Sequence, residues 1–101
     1  MLHARVIPVL LLRNSGLVKT VEFNNPRYIG DPINAVKIFN DKEVDELTFL
    51  DINASISDKG PNFQLLKDIS SEAFMPFSYG GGIRNIEDIK QLYGLGVEKI
   101  I

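Results

Sequence analysis

Four short runs of apolar residues recur along the chain, and none of them alternates regularly with polar residues. The runs are residues 5–12, 45–52, 75–82 and 97–101. Continuous apolar runs of this length are typical of strands that are buried on both faces, as in parallel sheets. Segments with apolar residues at helical spacing lie between the runs. Helices are therefore predicted over residues 31–44, 62–74 and 86–96.

Polar residues and glycines mark the ends of the predicted helices. Asp31 is expected to cap the first helix, and Pro32 follows it at the first helical position, where proline is favoured. Asn85 is expected to cap the third helix, which Gly94 or Gly96 should end.

The third helix is expected to bury a single apolar stripe. Ile86, Ile89 and Tyr93 are spaced three and four residues apart, so they fall on one helical face. We therefore predict that these three side chains pack against the sheet.

The predicted elements alternate in the order β-α-β-α-β-α-β. This order predicts an α/β fold in which a parallel sheet carries its helices on the outside. Residues 13–30 contain Gly, Asn and Pro and are predicted to form a long loop, of a length that is often functional. Because the sequence ends inside an apolar strand, residues 1–101 are expected to be the first part of a larger α/β protein.

The composition excludes several classes of protein and site. The 101 residues contain no cysteine and one histidine, His3, so disulfides, thiolate metal sites and histidine-rich metal sites are excluded. The net charge of −2 argues against a general nucleic-acid binder. No apolar run approaches the roughly 20 residues that span a bilayer, so a cytoplasmic protein is expected. No cofactor or metal is expected.

Candidate site residues follow the predicted strands, where α/β proteins carry their active sites. The consecutive glycines Gly80, Gly81 and Gly82 could bring backbone amides to a phosphate, or they could form a tight turn that needs positive φ. Asp51 could be a general acid or base, or a structural carboxylate. Lys19 could contact a phosphate or be a solvated loop lysine.

A second set of charges precedes the strands. Arg5, Glu46 and Lys99 lie at the starts of the first, second and fourth predicted strands. If the strands line a barrel, the three side chains would gather at its amino-terminal mouth as a salt-bridged plug or gate. The alternative is that they are ordinary surface charges beside strands.

Several of these segments together resemble the N-terminal part of the HisF family, the cyclase subunits of imidazole glycerol phosphate synthase. They are RVIPVLLL (5–12), GDPINAVKIFNDKEVDELTFLDINAS (30–55), PFSYGGGI (76–83) and GVEKII (96–101). The resemblance runs from Met1 to Ile101 and implies a (β/α)8 TIM barrel. By this resemblance, residues 1–101 are an N-terminal half-barrel fragment, about the first four barrel strands and the three helices between them, of a single HisF-like domain.

The resemblance also implies roles for the candidate residues. The family binds a substrate with a phosphate at each end, and the glycines 80–82 match the phosphate loop of the first half-barrel. Lys19 matches a lysine of the mobile first loop, and Asp51 matches a carboxylate near the active-site face. Arg5, Glu46 and Lys99 match three of four residues that gate the barrel. In the family, a HisH glutaminase docks on the gated face and releases ammonia into the barrel.

The sequence departs from the family at Leu11. The family carries an aspartate there, at the end of the first strand, which acts as a general acid or base in ring closure. Loss of such a group typically lowers the rate by about 10²–10⁴-fold. A retained gate with a lost carboxylate resembles a HisF-like subgroup that supplies ammonia for sugar amidation, by a separate amidotransferase, in surface-polysaccharide (O-antigen, lipopolysaccharide) synthesis.

Two other interpretations stay open. The protein could be an authentic histidine-biosynthesis cyclase, forming imidazole glycerol phosphate and AICAR, in which Asp51 or a residue beyond 101 replaces the missing group. It could also be an inactive half-barrel fragment, whose two exposed sheet edges should make it associate.

Overall fold

The computed structural model describes residues 6–13, 16–19, 27–52 and 60–101. Six strands and three helices lie within these ranges. The strands are β1 (Val9–Arg13), β2 (Gly16–Lys19), β3 (Arg27–Gly30), β4 (Leu47–Asp51), β5 (Phe77–Gly80) and β6 (Lys99–Ile100). The helices are α1 (Pro32–Asp41), α2 (Phe63–Glu72) and α3 (Ile86–Gly94).

One six-stranded sheet carries the fold, in the order β3-β2-β1-β4-β5-β6. Strands β1, β4, β5 and β6 are parallel and follow one another in chain order. A helix connects each of β4, β5 and β6 to the parallel strand before it. The predicted α/β class is therefore confirmed, and sequential parallel strands of this kind are what part of a TIM barrel contains.

The long loop predicted over residues 13–30 is wrong, because the described part of that segment is a β-hairpin. Strand β2 pairs antiparallel with β1, with Leu12 opposite Leu17, and β3 pairs antiparallel with β2. Leu17 and Val18 are both buried. This adjacent apolar pair lets β2 bury side chains on both faces, which outweighs the turn-forming residues around it.

The helix starts are where their caps predict them. The Asp31 side chain accepts a hydrogen bond from the Ile33 amide at 3.1 Å, and Pro32 opens α1. The Asn85 side chain accepts one from the Asp88 amide at 2.9 Å, at the start of α3. Helix α3 ends before Gly96, whose φ of 103° suits glycine.

The core lies between the sheet and the three helices. The Phe49 and Phe77 rings of neighbouring strands meet edge to face, with centroids 6.1 Å apart. Side chains from the helices close over them, and the most deeply buried of these are Val36, Leu66, Ile69 and Leu92. Among the described residues, no helix is long and apolar enough to cross a membrane.

The predicted inward stripe of α3 is wrong for two of its three residues, and the third, Ile89, is partly buried. Ile86 is 68% exposed and Tyr93 is 52% exposed, whereas Asp88 and Leu92 are the buried residues of this helix. Hydrogen bonds from the Arg84 backbone and side chain satisfy the Asp88 carboxylate, so the helix can turn a charged residue inward.

Candidate functional site

The carboxyl ends of β1 and β4 place Leu11 and Asp51 on opposite faces of the sheet. In the parallel register, Leu11 is the partner of Leu50, and Leu12 is the partner of Asp51. Partners in neighbouring strands share a face, and successive residues alternate between faces. Leu12 is buried in the core under the helices, so Asp51 lies on that helix-covered side. The geometry does not bring the Asp51 carboxylate to the face that Leu11 occupies.

The face that Leu11 occupies is apolar where the strands end. Leu50 is the partner of Leu11 in β4 and of Gly80 in β5, so these three positions share that face. None of the three carries a group that transfers a proton. Chemistry at this level of the sheet therefore needs a group from another part of the protein.

Two of the three consecutive glycines have positive φ. Gly81 has a φ of 126° and Gly82 a φ of 66°. A Cβ on Gly81 would lie 2.5 Å from the Asp51 carbonyl oxygen, and one on Gly80 would lie 3.1 Å from Leu50 Cδ2. The positive φ and the close packing both favour glycine at position 81, as expected if the glycines form a tight turn. The phosphate-binding role of the glycines stays a prediction.

The amino end of α3, directly after the glycines, is closed by the chain's own polar groups. Asp88 Oδ2 accepts hydrogen bonds from the Arg84 backbone N at 3.0 Å and from Arg84 Nε at 3.4 Å. The Arg84 guanidinium also lies against Gly60, where an added Cβ would come within 2.8 Å of it. The structure therefore holds the guanidinium of Arg84, two residues after the glycines in the sequence, against Asp88 and Gly60. Sequence reasoning missed it, although a basic residue two positions after a glycine run was a usable signal.

The buried hydroxyl of Tyr79 is a second feature that the sequence pattern did not predict. Its hydroxyl is buried and has no hydrogen-bond partner among the described residues. Burial raises the pKa of the Tyr79 phenol well above its ordinary value, and the nearby Asp51 and Asp88 carboxylates raise it further. The phenol therefore stays neutral beside the end of β5.

The structure separates Lys19 from the glycines. Lys19 is the last residue of β2, which runs antiparallel to β1 and so away from the carboxyl end of β1. Strands β1 and β4 lie between β2 and β5 in the sheet. The described backbone of Lys19 therefore does not adjoin Gly80, and its phosphate contact stays a prediction.

At the opposite end of the strands, two of the three predicted gate residues come together. Lys99 Nζ lies 4.0 Å from Glu46 Oε1 across the start of β5. Glu46 is buried, whereas the Lys99 side chain is 64% exposed. Arg5 lies outside the described residues. Within the described ranges, no group of three or more His, Asp or Glu side chains is arranged to hold a metal ion.

The chain is similar to one protein family and to individual proteins of several bacteria. Residues 5–101 match the family described as "Histidine biosynthesis protein". Over 101 residues the chain is 56% identical to a Leptospira interrogans protein provisionally named imidazole glycerol phosphate synthase subunit HisF. It is 55% identical over 100 residues to the Pseudomonas aeruginosa protein provisionally named subunit hisF2, and 56% identical over 100 residues to that named hisF3 in Vibrio vulnificus.

These matches cover nearly all of this chain but a smaller part of the relatives. They include 100%, 99% and 99% of the chain and 40%, 40% and 38% of the Leptospira, Pseudomonas and Vibrio proteins. The chain thus spans about two fifths of the length of the relatives it matches.

Proposed function

Since the chain belongs to the histidine biosynthesis protein family, we propose that it forms the first part of a HisF-type barrel that receives ammonia from a HisH-type glutaminase. The barrel passes this ammonia to a separate enzyme that amidates a sugar during surface-polysaccharide synthesis. It does not itself close the imidazole ring. The observation that carries this proposal is the position of Leu11.

Leu11 stands where the resemblance implies a catalytic aspartate. Its partner in β4 is Leu50, and Asp51 lies on the other face of the sheet. Asp51 is therefore poorly placed to supply the missing proton transfer, which disfavours the interpretation that it replaces the aspartate. Without a positioned acid or base, ring closure should be slower by about 10²–10⁴-fold.

The pair of Glu46 and Lys99 supports an ammonia route at the other end. The buried Glu46 carboxylate lies 4.0 Å from Lys99 Nζ, at the end where the parallel strands begin. Because Lys99 is largely exposed, the Coulomb attraction that holds the pair is weak. Such a pair suits a mouth that opens for a small neutral molecule, and Arg5 is proposed to complete it.

The second candidate is the cyclase of histidine biosynthesis, with a phosphorylated substrate held by Lys19 and the glycines 80–82. The names of the relatives favour it, since each refers to imidazole glycerol phosphate synthase.

The test is cyclase turnover at the full natural length of the protein, with the ribulosyl nucleotide substrate and ammonium salt but no glutaminase. We expect no turnover from the wild type and measurable turnover from Leu11→Asp. Leu11→Asn is the matched control, because it changes polarity without adding a proton-transfer group, and it should stay inactive. Wild-type turnover at a rate typical of the family would establish the cyclase instead.

A further inference from the structure

Four backbone segments meet side by side where the parallel strands begin. The Asp45 amide donates to the Val6 carbonyl at 3.1 Å, and the Leu47 amide donates to the Pro76 carbonyl at 3.1 Å. The Glu98 amide donates to the Phe77 carbonyl at 2.8 Å. We call the surface formed by residues 6–8, 41–47, 72–77 and 95–99 the amino edge. It contains the Glu46–Lys99 pair.

Phe74 projects from this edge and is 86% exposed, more than any other large hydrophobic side chain among the described residues. Its backbone is nevertheless held on both sides. The Phe74 amide donates to Asn40 Oδ1 at 2.9 Å, and Asn40 Nδ2 donates to the Glu72 carbonyl at 2.7 Å. Met75, the next residue, is buried. The ring is therefore presented to solvent from a fixed backbone.

The amino edge is also strongly acidic. It carries six carboxylates and two lysines, although the whole chain has a net charge of only −2. The carboxylates are those of Asp41, Glu43, Asp45, Glu46, Glu72 and Glu98. Such a concentration of one charge sign on one edge attracts a partner surface of the opposite sign.

We infer that Phe74 is the anchor by which the glutaminase subunit docks on the amino edge, a step that rests on the proposed function. An aromatic side chain that projects from a held backbone among polar residues is well suited to be an interface hot spot. The surface that receives it is an apolar recess bordered by lysine and arginine side chains. Docking there covers the Glu46–Lys99 pair, so ammonia released by the partner enters the barrel without meeting bulk water.

The experiment measures binding of the HisH-type glutaminase of the same organism to the protein at its full natural length, by isothermal titration calorimetry. Phe74→Ala should raise the Kd by at least about tenfold, as expected for a hot-spot aromatic. Ile86→Ala is the matched control, since Ile86 is 68% exposed but begins α3 at the other end of the strands. It should leave the Kd within about twofold of the wild-type value.

The carboxylates of the amino edge should have a separate effect, on the rate at which the glutaminase associates. Glu98→Gln should slow association without a matching change in dissociation, because charges at the rim of an interface act mainly on encounter. Raising the salt concentration should slow wild-type association and reduce the difference between the two proteins.

Each result decides between the two proposals. If the wild type does not bind the glutaminase, the proposed function and the anchor are both overturned. If the wild type binds and Phe74→Ala binds equally well, only the anchor is overturned. A Phe74→Leu variant, which keeps an apolar side chain, should bind with an intermediate Kd; equal loss in both variants would contradict a recess that receives the side chain by its apolar surface.

Discussion

Gly81 passes so close to Asp51 that a Cβ added to Gly81 would lie 2.5 Å from the Asp51 carbonyl oxygen. The φ of Gly81 is 126°, in a region that side-chain-bearing residues rarely adopt. The end of β4 and the turn after β5 are therefore packed backbone to backbone. Close packing and conformation both exclude a side chain at this position.

The first prediction concerns this contact. Gly81→Ala should lower the free energy of unfolding by at least about 2 kcal/mol, because the new Cβ meets a backbone atom and the φ becomes strained. Urea-induced unfolding followed by circular dichroism measures the change.

Gly94 provides the control for Gly81. It lies at the end of α3, and nothing comes within 4 Å of a Cβ added there. Gly94→Ala should leave stability unchanged or raise it by up to about 1 kcal/mol, since alanine is the better helix former. If both alanine variants behaved alike, the close approach at Gly81 would be refuted.

Local signals in the sequence were sufficient to predict the helix starts and the parallel order. Asp31 and Asn85 cap helices through bonds to amides two and three residues away, so their role depends on neighbours in the chain. The positive φ values of Gly81 and Gly82 were likewise among the interpretations that the glycine run allowed.

The predictions that were wrong concern contacts between residues that the local sequence pattern does not relate. The pairing of Leu17 with Leu12 and Gly30 depends on a sheet that a local pattern does not define. The buried position of Asp88 depends on hydrogen bonds from Arg84, which an apolar stripe ignores.

The placement of Leu11 and Asp51 on opposite faces of the sheet likewise depends on strand register. Their partners are Leu50 and Leu12, and a shift of one residue would reverse the faces. The candidate residues could therefore be identified from the sequence, but which of them share a face of the sheet could not.

The second prediction concerns the buried hydroxyl of Tyr79. Because it has no partner among the described residues, it pays the cost of leaving water without a compensating hydrogen bond. Tyr79→Phe should therefore raise the free energy of unfolding by about 1 kcal/mol. Tyr93→Phe is the control, since Tyr93 is half exposed, and it should be nearly neutral. Destabilisation by Tyr79→Phe would show that the hydroxyl has a partner.

The third prediction follows from the raised pKa of Tyr79. In the unfolded chain the phenol titrates near its ordinary pKa of 10.0, whereas in the folded protein it keeps its proton to higher pH. Well below pH 10 both states are protonated. As the pH rises above 10, the unfolded state loses its proton first, so the stability of the folded state falls.

Comparison with Tyr79→Phe isolates this effect from other groups that titrate in the same range. Above about pH 10, wild-type stability should fall more steeply than that of the variant, by up to about 1.4 kcal/mol per pH unit. Unfolding in urea at several pH values between about 8 and 11 spans this range. Parallel curves for the two proteins would mean that the folded-state pKa of Tyr79 is ordinary.

The last prediction tests the support beneath Phe74. Asn40 joins the ends of α1 and α2. Its side chain donates a hydrogen bond to the Glu72 carbonyl and accepts one from the Phe74 amide. Asn40→Ala removes both and should cost about 1–3 kcal/mol of stability. Asn40→Asp keeps the acceptor but places a carboxylate beside the Glu72 carbonyl, so it should not restore stability.

Ser71→Ala is the control for Asn40. The Ser71 hydroxyl bonds the Lys67 carbonyl one turn back on the exposed side of α2, where such a bond adds little. Its loss should change stability by less than about 0.5 kcal/mol. If Asn40 holds the Phe74 backbone in place, Asn40→Ala should also weaken glutaminase binding, and Ser71→Ala should not. A stable Asn40→Ala protein with unchanged binding would show that Phe74 needs no such support.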